Sequence, residues 1–259
     1  MVQPRNQQGV IDNMVKSTAI TCIMLDPPPE REEEWNTWYT KVHSPGRFEC
    51  GFLGFRRFEI MEGHPHVDTR QAGKPKYLAI MELPDTSVLT GPAYDAVTER
   101  WTALPSNSFE HITMGLDKFA RGVFQMTEEI PQREHFALPE NRYVFLSAHD
   151  VPAEVVDEFN DWYVTEHIPP VLSQPGFNSV RRYLHLSKDF PPMLSRGGDL
   201  FTHLAIWEID DETVFQNPTF SSYTPTPWQK RLRRLFTLKM SNVYREIGRG
   251  VAPLHVNKA

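Results

Sequence analysis

NTWYTKVHSP, from Asn36 to Pro45, and NDWYVTEHIP, from Asn160 to Pro169, place Asn, Trp-Tyr, His and Pro twice at one internal spacing. Over the eleven positions Trp35 to Pro45, set against Phe159 to Pro169, five residues are identical. Average residue usage yields less than about one such match, and Trp is rare, so duplication is the economical reading. The similarity continues downstream. GFLGFRRF (51–58) matches GFNSVRRY (176–183), and YLAIMEL (77–83) matches HLAIWEI (203–209). The offset grows from 124 at the Asn pair to 126 at Glu82 and Glu208, so insertions fall in loops and the elements persist.

Each half reads as the same series of elements. STAITCIMLD and RYVFLSAHD are β-branched and aromatic runs ending in Asp, the pattern of strands. A helix follows each: Trp35, Trp38 and Tyr39, and likewise Phe159, Trp162 and Tyr163, fall at i, i+3, i+4 and form one apolar stripe. Pro45 and Pro169 are expected to end these helices. Then come a Gly-Phe strand, a polar loop, the LAI strand, a second helical region (91–101, and the stretch resuming at Trp228), and a last strand.

The order is βαββαβ, so the expected fold is α+β: two tandem ferredoxin-like repeats. The LAI strands are apolar on both faces, which predicts that the two sheets pack against each other within the chain. The boundaries read as a polar tail (1–16), a first repeat (17–130), a connector (131–141), a second repeat (142–248) and a C-terminal tail (249–259).

Composition narrows the function. A net charge of −6 argues against an extended basic surface for nucleic acid or anionic lipid, so neither nucleic acid nor membrane is an expected partner. Cys22 and Cys50 make neither a disulfide framework nor a zinc pattern, and the N-terminus lacks the apolar core of a signal peptide; the expected compartment is the cytoplasm. GHPH (63–66) lacks a third ligand and reads as a surface loop, with no metal expected.

The helix W-Y-x-x-x-H-x-P, the Gly-Phe opening of the second strand, the R-R-F/Y that follows and the third strand ending in Glu resemble the dimeric α/β-barrel superfamily, particularly its EthD-like branch. The resemblance spans both halves and implies a tandem-repeat pseudo-dimer that can associate further as a homodimer. It implies no single activity, because the superfamily hosts cyclases, isomerases, lyases, cofactor-free monooxygenases, haem proteins and binding proteins. It also implies that the His ending the first helix, His43 or His167 here, lies near the barrel mouth, where some members use it for acid/base work.

The residues leave alternatives open. His43 and His167 follow Tyr39 and Tyr163 by four, so each pair shares a helix face; such a His can transfer protons or simply interact with the helix C-terminus. Arg56, Arg57, Arg181 and Arg182 place one guanidinium on each sheet face, for substrate or, as favoured, for ion pairs with Glu82 and Glu208. His203, Trp207 and His185 replace Tyr77, Met81 and Ile60. With Tyr183 they give the second half the richer polar set, so activity is expected to depend on His167 more than on His43; the competing reading makes these strand histidines satisfied core residues.

The expected function is a cofactor-independent enzyme, of lyase, isomerase, cyclase or dehydratase type, acting on a small hydrophobic aromatic substrate. His167, His43, His203 and His185 are the candidate acid/base groups; Tyr163, Tyr39, Tyr183, Trp207, Arg181 and Arg182 are the candidate binding residues. A non-catalytic binding or accessory protein is the alternative, followed by a cofactor-free or haem-dependent oxygenase.

Overall fold

The computed structural model describes residues 15–64, 75–186, 190, 194, 201–218 and 225–253. Eight strands are formed: β1 (Ala19–Leu25), β2 (Gly54–Ile60), β3 (Tyr77–Leu83), β4 (Phe119–Ile130), β5 (Tyr143–Asp150), β6 (Phe177–His185), β7 (His203–Ile209) and β8 (Thr237–Val251). They close into one barrel in the order β1-β3-β2-β8-β5-β7-β6-β4. Every pairing is antiparallel. The inner faces of the two halves meet as expected, and their edges pair too, β2 with β8 and β4 with β6. Closure leaves no strand edge open to other chains.

Alternation along the strands sorts side chains into three layers. Leu78, Ile80, Leu204 and Ile206 point into the barrel, with Phe58, Phe124, Tyr183 and Tyr244. An eight-stranded barrel is narrow enough for such side chains to fill. Tyr77, Ala79 and Met81 face outward to the helices of the first half, and Ala205 and Trp207 to those of the second.

The helices follow the doubled motif closely but do not end at its prolines. Glu32–Trp38 and Val156–Trp162 are α-helical, and each passes into a π-turn, Tyr39–His43 and Tyr163–His167. Helical segments Ser44–Gly46 and Ile168–Leu172 then hold Pro45, and Pro169 with Pro170, in their first turns. A proline lacks the N–H that a continuing α-ladder needs; the wider π-turn sets that register aside, and at the start of a new segment the N–H is not required. The doubled Gly has its own cause. Gly51 and Gly176 adopt φ of 93° and 88°, where a side chain is strained, and a Cβ on Gly176 would lie 2.5 Å from Val214.

Three other features depart from expectation. Phe109–Met114 forms an unforeseen short helix, and β8 runs to Val251, into the stretch read as a tail. The ion pairs are also exchanged between halves. Arg56, fully buried, meets Glu208 at 2.7 Å and Glu246 at 2.6 Å, while Arg181 donates to both oxygens of Glu82 at 2.9 and 3.0 Å. Arg181 reaches Glu208 only at 3.9 Å. The expected partners lie on neighbouring strands of one half, but these side chains all point inward, where long guanidinium groups span the interior. Arg57 and Arg182, on the outer face, meet no Glu of the third strands.

Candidate active site

The outward arginines explain why the motif and the Arg-Arg pair occur together. Arg57 donates to the carbonyl of Asn36 at 2.9 Å, to Asn36 Oδ1 at 2.6 Å and to Thr40 at 2.7 Å, and lies 4.6 Å from the Tyr39 ring centroid. Arg182 repeats this with Asn160 Oδ1 at 2.6 Å and the Tyr163 ring at 4.3 Å, and adds Glu128 at 2.7 Å. The motif Asn and Tyr therefore pin each helix to its strand through one guanidinium. What the motif His does depends on what surrounds it.

In the first half the sheet and helices leave a cavity of about 280 Å³. Ile23, Met81 and Phe119 line it from the sheet, and His43 from the helix side. The His43 ring lies 4.6 Å from Tyr39, 4.6 Å from Trp101 and 4.9 Å from Trp38, and its buried Nδ1 has no hydrogen-bond partner among the described residues. Burial, then the charges of Arg47, Arg121 and Arg57, hold its pKa well below 6.5, so the ring is neutral at pH 7.

Two further arginines reach this cavity. Arg47, from the 3₁₀ turn Arg47–Cys50, stacks 3.8 Å over Trp101. Arg121, from β4, donates to the Tyr94 hydroxyl at 3.1 Å. Both are 8% exposed. Among the described residues neither forms an ion pair with a carboxylate, and Arg47 Nη1, Arg121 Nε and the Thr21 hydroxyl are buried without partners. Burial opposes ionisation of Tyr94, but Arg121 and Arg47 outweigh it and bring its pKa below 10. The arrangement is a neutral base and a polarised phenol beside two fixed positive charges, within apolar walls.

In the second half, expected to hold the richer pocket, different side chains occupy the corresponding places among the described residues. Strand register sets Phe145 where the first half has Thr21, Trp207 where it has Met81, and Ser241 where it has Arg121. Four residues beyond the motif His, Val171 stands in the place of Arg47. Two larger rings enter and both cations are lost. Trp207 for Met81 reads in sequence as pocket enrichment; in three dimensions it is a buried ring packed among Tyr163, His167 and Phe177.

The sequence-predicted residues accordingly separate into three places. His43 and Tyr39 line the cavity, where burial raises the Tyr39 pKa. His167 stacks on Trp162 at 4.9 Å and meets Trp207 at 5.9 Å; Tyr163 shares a hydrogen bond with Ser147 at 3.1 Å. His203 packs 5.4 Å from Phe159 with Nδ1 2.9 Å from the Thr202 hydroxyl. Burial, first among the causes, lowers His167 and His203 to about 4. His185, Tyr183 and Arg181 lie on the other side of the sheet, in the barrel, where His185 stacks 4.7 Å from Phe124. They do not share a site with His203 and Trp207. Arg181 is engaged by Glu82, and Arg182 by Asn160 and Glu128, so both are held by protein groups, though not by the partners expected.

Sequence reasoning missed Arg47, Tyr94, Trp101 and Arg121. Tyr94 and Trp101 share a face of the Pro92–Thr102 helix at i, i+7, and Arg121 is a single charge in an apolar strand start. Each was legible as unusual, but only the fold brings them together. Among the described residues no group of three His, Cys, Asp or Glu could hold a metal ion; His66 of GHPH lies outside them, and His64 Nε2 lies 2.9 Å from the Glu212 carbonyl. None of the described helices is long and apolar enough to cross a membrane.

No protein-family model matches the sequence, and the comparison with curated proteins finds no match. Among solved structures, the chain is similar to an anthrone oxidase-like protein, with 12% identity and a TM-score of 0.62 over 94% of this chain and 97% of that one. It is also similar to a candidate monooxygenase from Fusobacterium nucleatum subsp. nucleatum, with 9% identity and a TM-score of 0.51 over 92% and 96%. At these identities the likeness is one of fold, and the eight-stranded closed antiparallel barrel is that of the dimeric α/β-barrel proteins.

Proposed function

We propose that the protein is a cofactor-independent enzyme that uses His43 for proton transfer on a small aromatic substrate in the first-half cavity. Neutral His43 in one cavity with Tyr94 and two guanidinium groups that pair with no carboxylate among the described residues is the observation that carries this reading. The imidazole accepts a proton from an acidic C–H or O–H. Arg121 donates to the Tyr94 oxygen, leaving the Tyr94 proton free to stabilise the enolate or phenolate that forms. Burial, helped by these cations, keeps His43 neutral; the same cations favour the anion that forms, which offsets their cost to the imidazolium. Return of the proton elsewhere gives isomerisation, cyclisation, dehydration or C–C cleavage. The volume of about 280 Å³ lies at the small end of ligand sites and supports a compact substrate over a haem macrocycle. The family reading proposed with it is an EthD-like tandem pseudo-dimer. The recurrence of the Asn-Trp-Tyr helix on the outward Arg of each half supports it.

Hydrogen–deuterium exchange at the acidic carbons of anthrone and 2-tetralone, followed by NMR in D₂O under argon and under air, tests the proposal. Exchange catalysed by the protein and reduced roughly 10²- to 10⁴-fold in His43→Gln is expected. Oxygen uptake under air would select the oxygenase reading, which needs the same deprotonated substrate. No protein-dependent exchange with either compound would leave a binding protein.

A further inference from the structure

We infer that the ligand of this cavity is an aromatic carboxylate, its carboxylate held between Arg47 and Arg121 and its ring against the sheet floor of Ile23, Met81 and Phe119. The inference rests on the cavity being the substrate site and does not depend on what His43 does there.

The argument is one of charge. A guanidinium does not lose its proton in a protein, so a buried one is costly unless something accepts its hydrogen bonds. The other buried strand arginines are engaged: Arg56 by Glu208 and Glu246, Arg57 by Asn36 and Thr40, Arg181 by Glu82, Arg182 by Glu128 and Asn160. Arg47 and Arg121 are also buried, line one cavity and repel each other, yet among the described residues neither meets a carboxylate, and Arg47 Nη1 and Arg121 Nε, like two nitrogens of the paired Arg181, have no acceptor. Glu110, partly exposed on the same wall, forms an ion pair with neither among the described residues.

A neutral ligand would leave two desolvated charges uncompensated, whereas a carboxylate offers about four acceptor positions in the plane that guanidinium groups match. The Thr21 hydroxyl is a third unpartnered donor in the same cavity. The second half carries Val171 and Ser241 at the corresponding places, so the scaffold does not require these cations. They belong to the cavity.

The test is isothermal titration of the full chain at neutral pH with 2-naphthoate, benzoate and 2-naphthamide, on wild type, Arg47→Gln and Arg121→Gln. Circular dichroism melting verifies folding; Arg47, on a short turn, supplies a second variant should Arg121→Gln fail to fold. The expected result is 2-naphthoate binding at least about tenfold tighter than the amide, the scale of a hydrogen bond to a charged group. Each variant should lose about tenfold or more for the acid and much less for the amide. Equal affinity for acid and amide, acid binding indifferent to both variants, or no acid binding up to about 10 mM would overturn the inference. So would a tyrosinate absorbance at neutral pH that disappears in Tyr94→Phe, because the counter-charge would then be internal. Arginine-dependent acid binding by a protein inert in proton exchange would remove the catalytic reading and keep this one; catalysis on neutral ketones with no preference for acids would do the reverse.

Discussion

At the scale of single residues, one side chain type takes opposite parts in the two halves. His43 faces a cavity; His149, 8% exposed on β5, lies 5.5 Å from Phe159 and 5.2 Å from Phe236. Burial, then the nearby His167 and His203, lowers its pKa to about 3. The unfolded chain takes up a proton below about pH 6.5 that folded His149 refuses, so stability is full above that pH and declines as pH falls toward 3. Between pH 6.5 and about pH 5 the loss from His149 alone is on the order of 2 kcal/mol. Urea melts across this range should show it, and His149→Phe, which keeps a ring in place, should flatten the slope by that amount. For His43 the same sign predicts a kinetic result. Being neutral well below 6.5, it remains a competent base through the ordinary imidazole range, so turnover should hold there and fall only at more acid pH. A loss of activity centred near 6.5 would point to another base.

At the scale of elements, each helix is tied to its strand by a guanidinium, and the halves are tied by exchanged ion pairs. Asn160→Leu removes the acceptor of a charged donor on buried Arg182 and should cost about 1.5 to 3 kcal/mol in chemical denaturation. Arg181→Ala leaves Glu82, which is fully buried, without its cation and should cost about 3 to 5 kcal/mol. Replacing Arg181 by Met and Glu82 by Leu together should cost much less than the single change, because no unmatched charge remains. The sequence showed that these Arg and Glu residues pair across strands, because alternation places them on known faces. It did not show with whom, because the partner is chosen by side-chain reach across a closed interior.

At the scale of the whole molecule, β2–β8 and β4–β6 are the seams that close the barrel. A chain cut within 131–141 should therefore give two pieces that melt without cooperativity when made separately and regain one cooperative transition when made together. Two independent, sharp transitions would show that each half folds alone. The inward faces of Leu78, Ile80, Leu204 and Ile206 make that outcome unfavourable, since each half exposes them without the other.

What the sequence determined by itself was everything carried by period and duplication: eight strands, the apolar helix stripes, the doubled motif and the two-faced burial of β3 and β7. These follow from local geometry, in which spacing along the chain sets the direction of each side chain. The tertiary structure alone decided where the space is. Thr21, Met81, Arg47 and Arg121 come from four separate segments, and at the corresponding places Phe145, Trp207, Val171 and Ser241 bring two larger rings and no charge. A cavity is a difference between the volume enclosed and the volume filled, summed over residues distant in sequence, so no single position announces it.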